Sequence, residues 1–160
     1  MSATSFITCL WFDDQGEDAA RYYTGVFRDA KLGRIGYYGE SDPGRAGSVM
    51  TAEFELNGQR FVALNGGAQP GFVFNESISF QILTADQDET DYYWDALTAD
   101  GEEGPCGWLK DKYGLSWQVV PSDVLAMLTD SDPEAATRAQ QALYSMKKID
   151  IATIAKAHAG

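Results

Sequence analysis

The chain's first apolar run, Phe6 to Phe12, is short and bounded by Asp13-Asp14, which is the pattern of a buried strand. The period of apolar positions then changes. In 15-QGEDAARYYTGVF-27, Ala19, Tyr22, Tyr23, Val26 and Phe27 recur at helical spacing, with Asp14 as the cap and Glu17 and Asp18 in the first turn. Two strand-like runs follow near 31–39 and 47–56, separated by the turn-rich ESDPGRAG. Asn57-Gly58 then stands between FEL and QRFVAL. An Asn-Gly pair flanked by strands is a strong hairpin signal, so 47–56 and 59–65 are expected to pair antiparallel.

After the glycine-rich loop 66-GGAQPG-71 the same order begins again. The stretch 77-SISFQIL-83 predicts a strand. Residues 86–99 predict a helix, with Asp86 as cap and Tyr92, Tyr93 and Leu97 on its apolar side. Shorter strands are expected near 106–112 and 115–120. Each half thus reads as strand, helix with a Tyr-Tyr pair, then strands, an internal repeat of one βαβββ unit that calls for a paired architecture. Beyond Pro121 the pattern is helical over 122–128, over 132–146 with Asp132 capping and Pro133 in the first turn, and over 149–157. This tail is either an added layer or a dimerisation element. The expected organisation is one α+β domain over 1–160, with modules at about 4–68 and 74–121 and a C-terminal helical extension at 122–160.

Composition adds exclusions. A chain of 160 residues that is 44% hydrophobic and 22% charged can bury a sizeable core and is not a disordered segment. Its formal net charge of −12 argues against nucleic acid, which is bound by clustered Lys and Arg, and against an anionic membrane surface. No apolar run approaches the roughly 20 residues that cross a bilayer. The start, MSATSFITCLWFDD, lacks the basic region of a secretory leader, and Cys9 and Cys106 have neither metal-ligand spacing nor a disulfide framework. A cytoplasmic protein is expected, with a small molecule or another protein as partner.

Several stretches carry a resemblance: 9-CLWFDDQGEDAARYYTGVF-27, 62-VALNGG-67, 74-FNESISFQI-82, 105-PCGWLKDKYGLSWQVVP-121 and 146-MKKIDIA-152. With the repeated βαβββ unit, they resemble the PhnB-like group of the vicinal-oxygen-chelate (glyoxalase/bleomycin-resistance) superfamily, often labelled a 3-demethylubiquinone 3-methyltransferase-like domain. The resemblance implies two modules whose curved sheets form an open cleft or half-barrel, commonly completed in a homodimer. It implies no single reaction, because the fold hosts isomerases, dioxygenases, resistance proteins and pure binders.

Metal-dependent members of that superfamily carry His or Gln on the first strand of each module and Glu on the last. On that pattern, the resemblance places the ligand positions at Thr8, Ser79, Gln118 and, near the end of the first module, Val62. These offer no carboxylate and no imidazole, a poor set for Zn²⁺, Fe²⁺ or Ni²⁺. The single histidine, His158, lies near the C-terminus, where disorder is the plain expectation. Neither a metal site nor a cofactor is therefore expected. The glycines at 66–67 precede another strand rather than a helix, so the chain gives no sign of a Rossmann-type methyl-donor site.

The strands still show alternation. Ser77, Ser79 and Gln81 alternate with Ile78, Phe80 and Ile82, and Ser116 and Gln118 with Leu115, Trp117 and Val119. The polar face lines either the implied cleft or solvent. The expected ligand contacts are Thr8, Ser79, Gln81 and Gln118, with Asn65 and Trp108 at the rim. Asn65 could equally cap its own turn. Glu53 and Cys106 are the candidates for chemistry, the first as general acid or base and the second as nucleophile. A solvent-facing rung and a buried, inert thiol (for Cys9 also) are the simpler readings. Tyr22, Tyr23, Tyr92 and Tyr93 are expected in the core, and 110-KDK-112 in a solvated turn. The leading expectation is a metal-independent small-molecule binder acting as a homodimer. The alternatives are a lyase, isomerase or oxygenase of the same superfamily, and a regulatory protein that uses its C-terminal helices.

Overall fold

The computed structural model describes residues 6–160. Residues 4 and 5, the start of the expected first module, lie outside the described residues. The chain divides into two compact units, Met1–Phe72 and Val73–Gly160.

The first unit runs β1 (Thr8–Phe12), α1 (Gly16–Val26), β2 (Ala30–Tyr37), β3 (Val49–Leu56) and β4 (Gln59–Asn65). Its sheet has the order β1-β4-β3-β2, with β1 parallel to β4 and the other pairs antiparallel. The predicted hairpin forms. Asn57 and Gly58 both take positive φ, 47° and 79°, as a type I′ turn requires, and Leu56 pairs Gln59. Alternation along the strands buries Leu10, Phe12, Phe54, Phe61 and Ala63 on one face. There Tyr23 stacks on Phe54 at 5.7 Å between ring centroids, and Phe54 on Phe61 at 5.0 Å. Each such fully buried aromatic stabilises the unit by roughly 1.5–3 kcal/mol. The first strand is half-buried by alternation rather than buried throughout, which leaves Cys9 exposed and corrects the expectation of a buried thiol. Tyr23 and Tyr93 enter the core, but Tyr22 is half-buried and Tyr92 exposed, because consecutive helical residues point about 100° apart.

The second unit repeats the order as β5 (Ser79–Thr84), α2 (Gln87–Thr98), β6 (Glu102–Glu103), β7 (Trp108–Lys110) and β8 (Ser116–Pro121). The sheet order β5-β8-β7-β6 is the first unit's order again, with β5 parallel to β8. The two-residue β6 takes the place of the eight-residue β2; flanked by glycines, it carried no strand signal. Asp86 caps α2 by accepting from Glu89 N at 2.8 Å, as expected. The KDK stretch is not a solvated turn. Lys110 ends β7, and Asp111 is 3% exposed, accepting from the backbone N of Tyr113 and Leu115 and from Trp117 Nε1 at 2.8–3.1 Å. One carboxylate thus fixes the β7–β8 connection.

The tail forms α3 (Ser122–Leu128), α4 (Pro133–Leu143) and α5 (Ile151–Ala159), an added layer on the second unit. Val124, Ala139, Ile149 and Ile154 form its buried centre. Gln87 clamps the tail from α2, donating to Ile149 O and accepting from Ile151 N at 3.1 and 3.0 Å. Gly107, at φ 82°, donates to Lys147 O and accepts from Val119 N; a Cβ there would meet Val119 O at 2.7 Å. His158 belongs to α5 and meets Asp130 Oδ2 at 3.0 Å, which corrects the expectation of a disordered end.

Candidate functional site

In the second unit, the residues opposite the α2-packed face come together across three strands. Register pairs Gln81 with Gln118 and Gln118 with Trp108, so these three side chains form one transverse row. One step along the strands, Ser79 pairs with Ser116, Ser116 with Lys110, and Lys110 with Glu102. The rows are tied by hydrogen bonds: Gln81 Nε2 donates to Gln118 Oε1 at 3.1 Å, and Gln118 Nε2 donates to Ser79 Oγ at 2.7 Å. Four of the six expected contact residues, Ser79, Gln81, Trp108 and Gln118, therefore share one sheet face.

A cavity of about 290 Å³ opens beside them, lined by Glu76, Glu102, Glu103, Gly104, Pro105, Trp108, Leu109 and Lys110. Trp108, Lys110 and Glu102 belong both to the rows and to the cavity wall. Lys110 Nζ lies 2.6 Å from Glu76 Oε1. That hydrogen bond and charge hold the Glu76 carboxyl below its ordinary pKa and raise that of Lys110. Glu103 is likewise held low, first by Lys147 and then by the Trp94 indole. Ser116 is fully buried, and its hydroxyl has no hydrogen-bond partner among the described residues. Lys110, Glu76 and Ser116 were missed from the sequence as site residues. For Lys110 and Ser116 the signal was available: each stands two residues from an expected contact on its own strand. Glu76 precedes its strand and had no such marker.

The remaining expected residues belong to the first unit or to the chain's packing. Alternation puts Thr8 on the face of Leu10 and Phe12, packed under α1, where Gln59 Nε2 donates to its hydroxyl at 3.3 Å. Register and burial instead match Cys9 to Gln81 and Val62 to Gln118, one residue away from a match of Thr8 to Ser79. Asn65 is 6% exposed, and its amide is committed to the protein. Its Oδ1 accepts from Gly16 N at 2.7 Å, and its Nδ2 donates to Asp14 O and Val49 O. It thus caps α1 from a distant strand. Asp14 makes no side-chain cap, and Gln15 takes the cap position, so the expected local cap is corrected.

Asn65 also borders a cavity of about 380 Å³ with Asp13, Asp14, Glu17, Asp18, Tyr38 and Arg45. Glu53 pairs in register with Val62 and, with Glu55, Lys31 and Arg60, lines a third cavity of about 150 Å³. Cys106 is half-buried at φ 57°, its Sγ 3.7 Å from Leu143 O and its backbone N donating to Met146 O. These contacts anchor the tail. Among the described residues, no three His, Cys, Asp or Glu side chains are placed to hold a metal ion, and no helix is long and apolar enough to cross a membrane.

Comparison with known proteins gives the family. Residues 4–120 match the family described as 3-demethylubiquinone-9 3-methyltransferase. A putative 3-demethylubiquinone-9 3-methyltransferase, PhnB protein, from Bacillus cereus is 31% identical, with a TM-score of 0.65 over 74% of this chain and all of that one. Protein PA1353 from Pseudomonas aeruginosa is 17% identical, with a TM-score of 0.58 over 74% of this chain and 98% of that one. The fosfomycin resistance protein FosX from Listeria monocytogenes, complexed with Mn(II) and sulfate, is 18% identical at a TM-score of 0.50, over 74% of this chain and 92% of that one. The last two likenesses bear on the fold alone. No curated protein matches. The mixed α+β sheets and these relatives make the architecture glyoxalase-like, and the chain belongs to the PhnB-like, 3-demethylubiquinone-9 3-methyltransferase family of the vicinal-oxygen-chelate superfamily.

Proposed function

We propose that this protein binds a small organic molecule on the Ser79–Gln81–Gln118–Trp108 face of its second unit, without a divalent metal. The observation that carries the reading is the bonded amide row, Gln81 to Gln118 to Ser79, set beside an indole and a cavity. Such a mixture of an apolar wall with a few convergent polar groups is the usual make-up of a small-molecule site. The rows supply Gln81, Gln118, Ser79 and Ser116 as neutral groups and a single carboxylate, Glu102 opposite Lys110, and among the described residues no three His, Cys, Asp or Glu side chains are placed to hold a metal ion. Their lone lysine and the adjoining Glu76 already satisfy each other. Neutral amide and hydroxyl oxygens are weak ligands for Zn²⁺, Fe²⁺ or Mn²⁺, which take imidazole or carboxylate far better, so the donor set does not fit the metal seen in the FosX neighbour. No step routed through a metal is assigned.

The family's name does not carry a methyl-transfer reading to this chain. Each sheet is mixed, with a single parallel pair, and not the parallel doubly wound sheet that a Rossmann methyl-donor site uses. A cytoplasmic homodimer is part of the proposal; light scattering at two protein concentrations tests the dimer.

The binding test is a ligand-observed NMR screen of uncharged, anionic and cationic fragments against the wild-type protein and two variants. The expected result is a set of fragments whose saturation transfer is lost in Gln118→Ala and Trp108→Ala. Silence of every fragment, or hits indifferent to both substitutions, contradicts the reading.

A further inference from the structure

Ser116 is the one buried side-chain polar atom without a hydrogen-bond partner among the described residues. Its side chain shares the binding face, between Ser79 on β5 and Lys110 on β7, with Gln118 two residues along the same strand. Folded proteins rarely leave a buried hydroxyl unpaired, and a persistent exception at a site asks what completes it. Its neighbours say which kind of group would.

Ser79 accepts from Gln118 and keeps its own O–H, Gln118 keeps a second amide N–H, and Lys110 is a donor. Together with the Ser116 O–H they make this patch rich in donors, while its carboxylates, Glu76 and Glu102, lie at the Lys110 end. At the other end of the row, Gln81 Oε1 is an acceptor with no partner from Gln118, because Gln81 bonds it through Nε2. Charge selects among acceptors. Lys110 is already neutralised by Glu76, and Glu102 lies opposite it in register, so an incoming anion would have to displace one carboxylate and remain beside another. An uncharged carbonyl meets no such opposition.

We infer that the second unit's face takes an uncharged carbonyl ligand of amide or lactam type. The carbonyl oxygen is received by the Ser79–Ser116 hydroxyls, an N–H is received by Gln81 Oε1, and the flat body lies against Trp108. Ser116 acts as the specificity-determining residue. This inference rests on the binding reading above and narrows its ligand class. Because Ser116 is fully buried, a carbonyl reaches its hydroxyl only when neighbouring side chains on this face shift. The orphan hydroxyl is satisfied only in the complex.

Nicotinamide and its anionic counterpart nicotinate serve as probes, titrated into wild-type protein, Ser116→Ala and the near-isosteric Ser116→Cys. NMR of the Trp108 indole and Gln118 side-chain amide reports binding, and thermal melting reports stability. The expected result is saturable nicotinamide binding at least tenfold tighter than nicotinate, weakened fivefold or more in both variants, with an unchanged or raised Tm for Ser116→Ala. A merely structural serine would instead lower Tm and leave affinity unchanged, and that outcome overturns the assignment. So does nicotinate binding as well as nicotinamide. If nicotinamide is silent while the fragment screen still yields hits lost in Gln118→Ala, the amide class falls and the binding face stands. If both are silent, the binding reading falls with it.

Discussion

Across the first unit's sheet, the row facing away from the helix reads Cys9, Val62, Glu53; across the second unit's sheet the corresponding row reads Gln81, Gln118, Trp108. Strand order and register are shared, and so is the aromatic packing under the helix. The chemistry on the other face is not. In the first unit it is a thiol, an aliphatic side chain and a carboxylate, with Glu55 beside it in register with Lys31 and Arg60. In the second it is a chain of neutral amides ending on a hydroxyl. A duplicated scaffold holds its helix-facing positions to one task, while the opposite face diverges. The proposed binding uses the face where polar side chains bond one another and one buried hydroxyl is left over.

The comparison breaks most visibly at the turns before the last strand of each unit. The first unit turns on backbone conformation at Asn57-Gly58, the second on the Asp111 carboxylate. Asp111→Ala strands three donors, two of them buried, and is expected to cost about 3–5 kcal/mol in chemical denaturation. Gly58→Ala, placing a Cβ at positive φ, is expected to cost only about 1–2 kcal/mol. Equal losses would mean that Asp111 is not the second unit's organiser.

Next in size are the helix starts. Asn65 caps α1 from β4 and also binds two carbonyls, whereas Asp86 caps α2 locally. Asn65→Ala is therefore expected to destabilise by about 2–3 kcal/mol and Asp86→Ala by about 1 kcal/mol, read from the same denaturation curves. A reversed order would assign Asn65 to ligand rather than to fold.

Smaller again is the contrast between the two rows. For fragments selected on the wild type, Gln118→Ala is expected to weaken binding about tenfold, the worth of one net hydrogen bond, and Val62→Ala to leave it unchanged. The smallest effect is acid sensitivity. In the second unit Glu76 is held below its ordinary pKa by Lys110, Asp91 by Gln87, Glu103 by Lys147, Asp130 by the Asp132 backbone and Asp150 by Thr153. The unfolded chain binds these protons more readily, so the stabilisation is complete above the ordinary carboxylate values and is lost as pH falls through the lower folded ones. All five groups are well solvated, so the loss is modest. Hydrogen exchange between pH 6 and pH 3 is expected to show the second unit's protection declining over that window.

How far this was legible in the sequence follows from the same residues. Period and caps exposed the repeat, the Asn-Gly hairpin and the Asp86 and Asp132 caps, because each is written within a few residues. Alternation likewise put Ser79, Gln81 and Gln118 on one face, which register then confirmed. What failed needed distant contacts. Asn65 caps a helix 49 residues earlier in the chain, Asp111 accepts from a tryptophan six residues on, and Gln87 holds a tail more than 60 residues away. Thr8 was one residue out of phase: alternation puts it on the face of Leu10 and Phe12, and the register with β4 matches Cys9, not Thr8, to Gln81. Ser116 could be read as polar and in phase, but its lack of a partner is visible only once every neighbour is placed.

The central claim is that the Gln81–Gln118–Ser79 row binds an organic ligand without a divalent metal. Native mass spectrometry of the purified protein, wild type beside Gln118→Ala, tests it most directly. The account predicts an organic adduct or none on the wild type, no stoichiometric Zn²⁺, Fe²⁺, Ni²⁺ or Mn²⁺, and loss of any adduct in Gln118→Ala. One retained metal ion per chain, released by that same substitution, would contradict it.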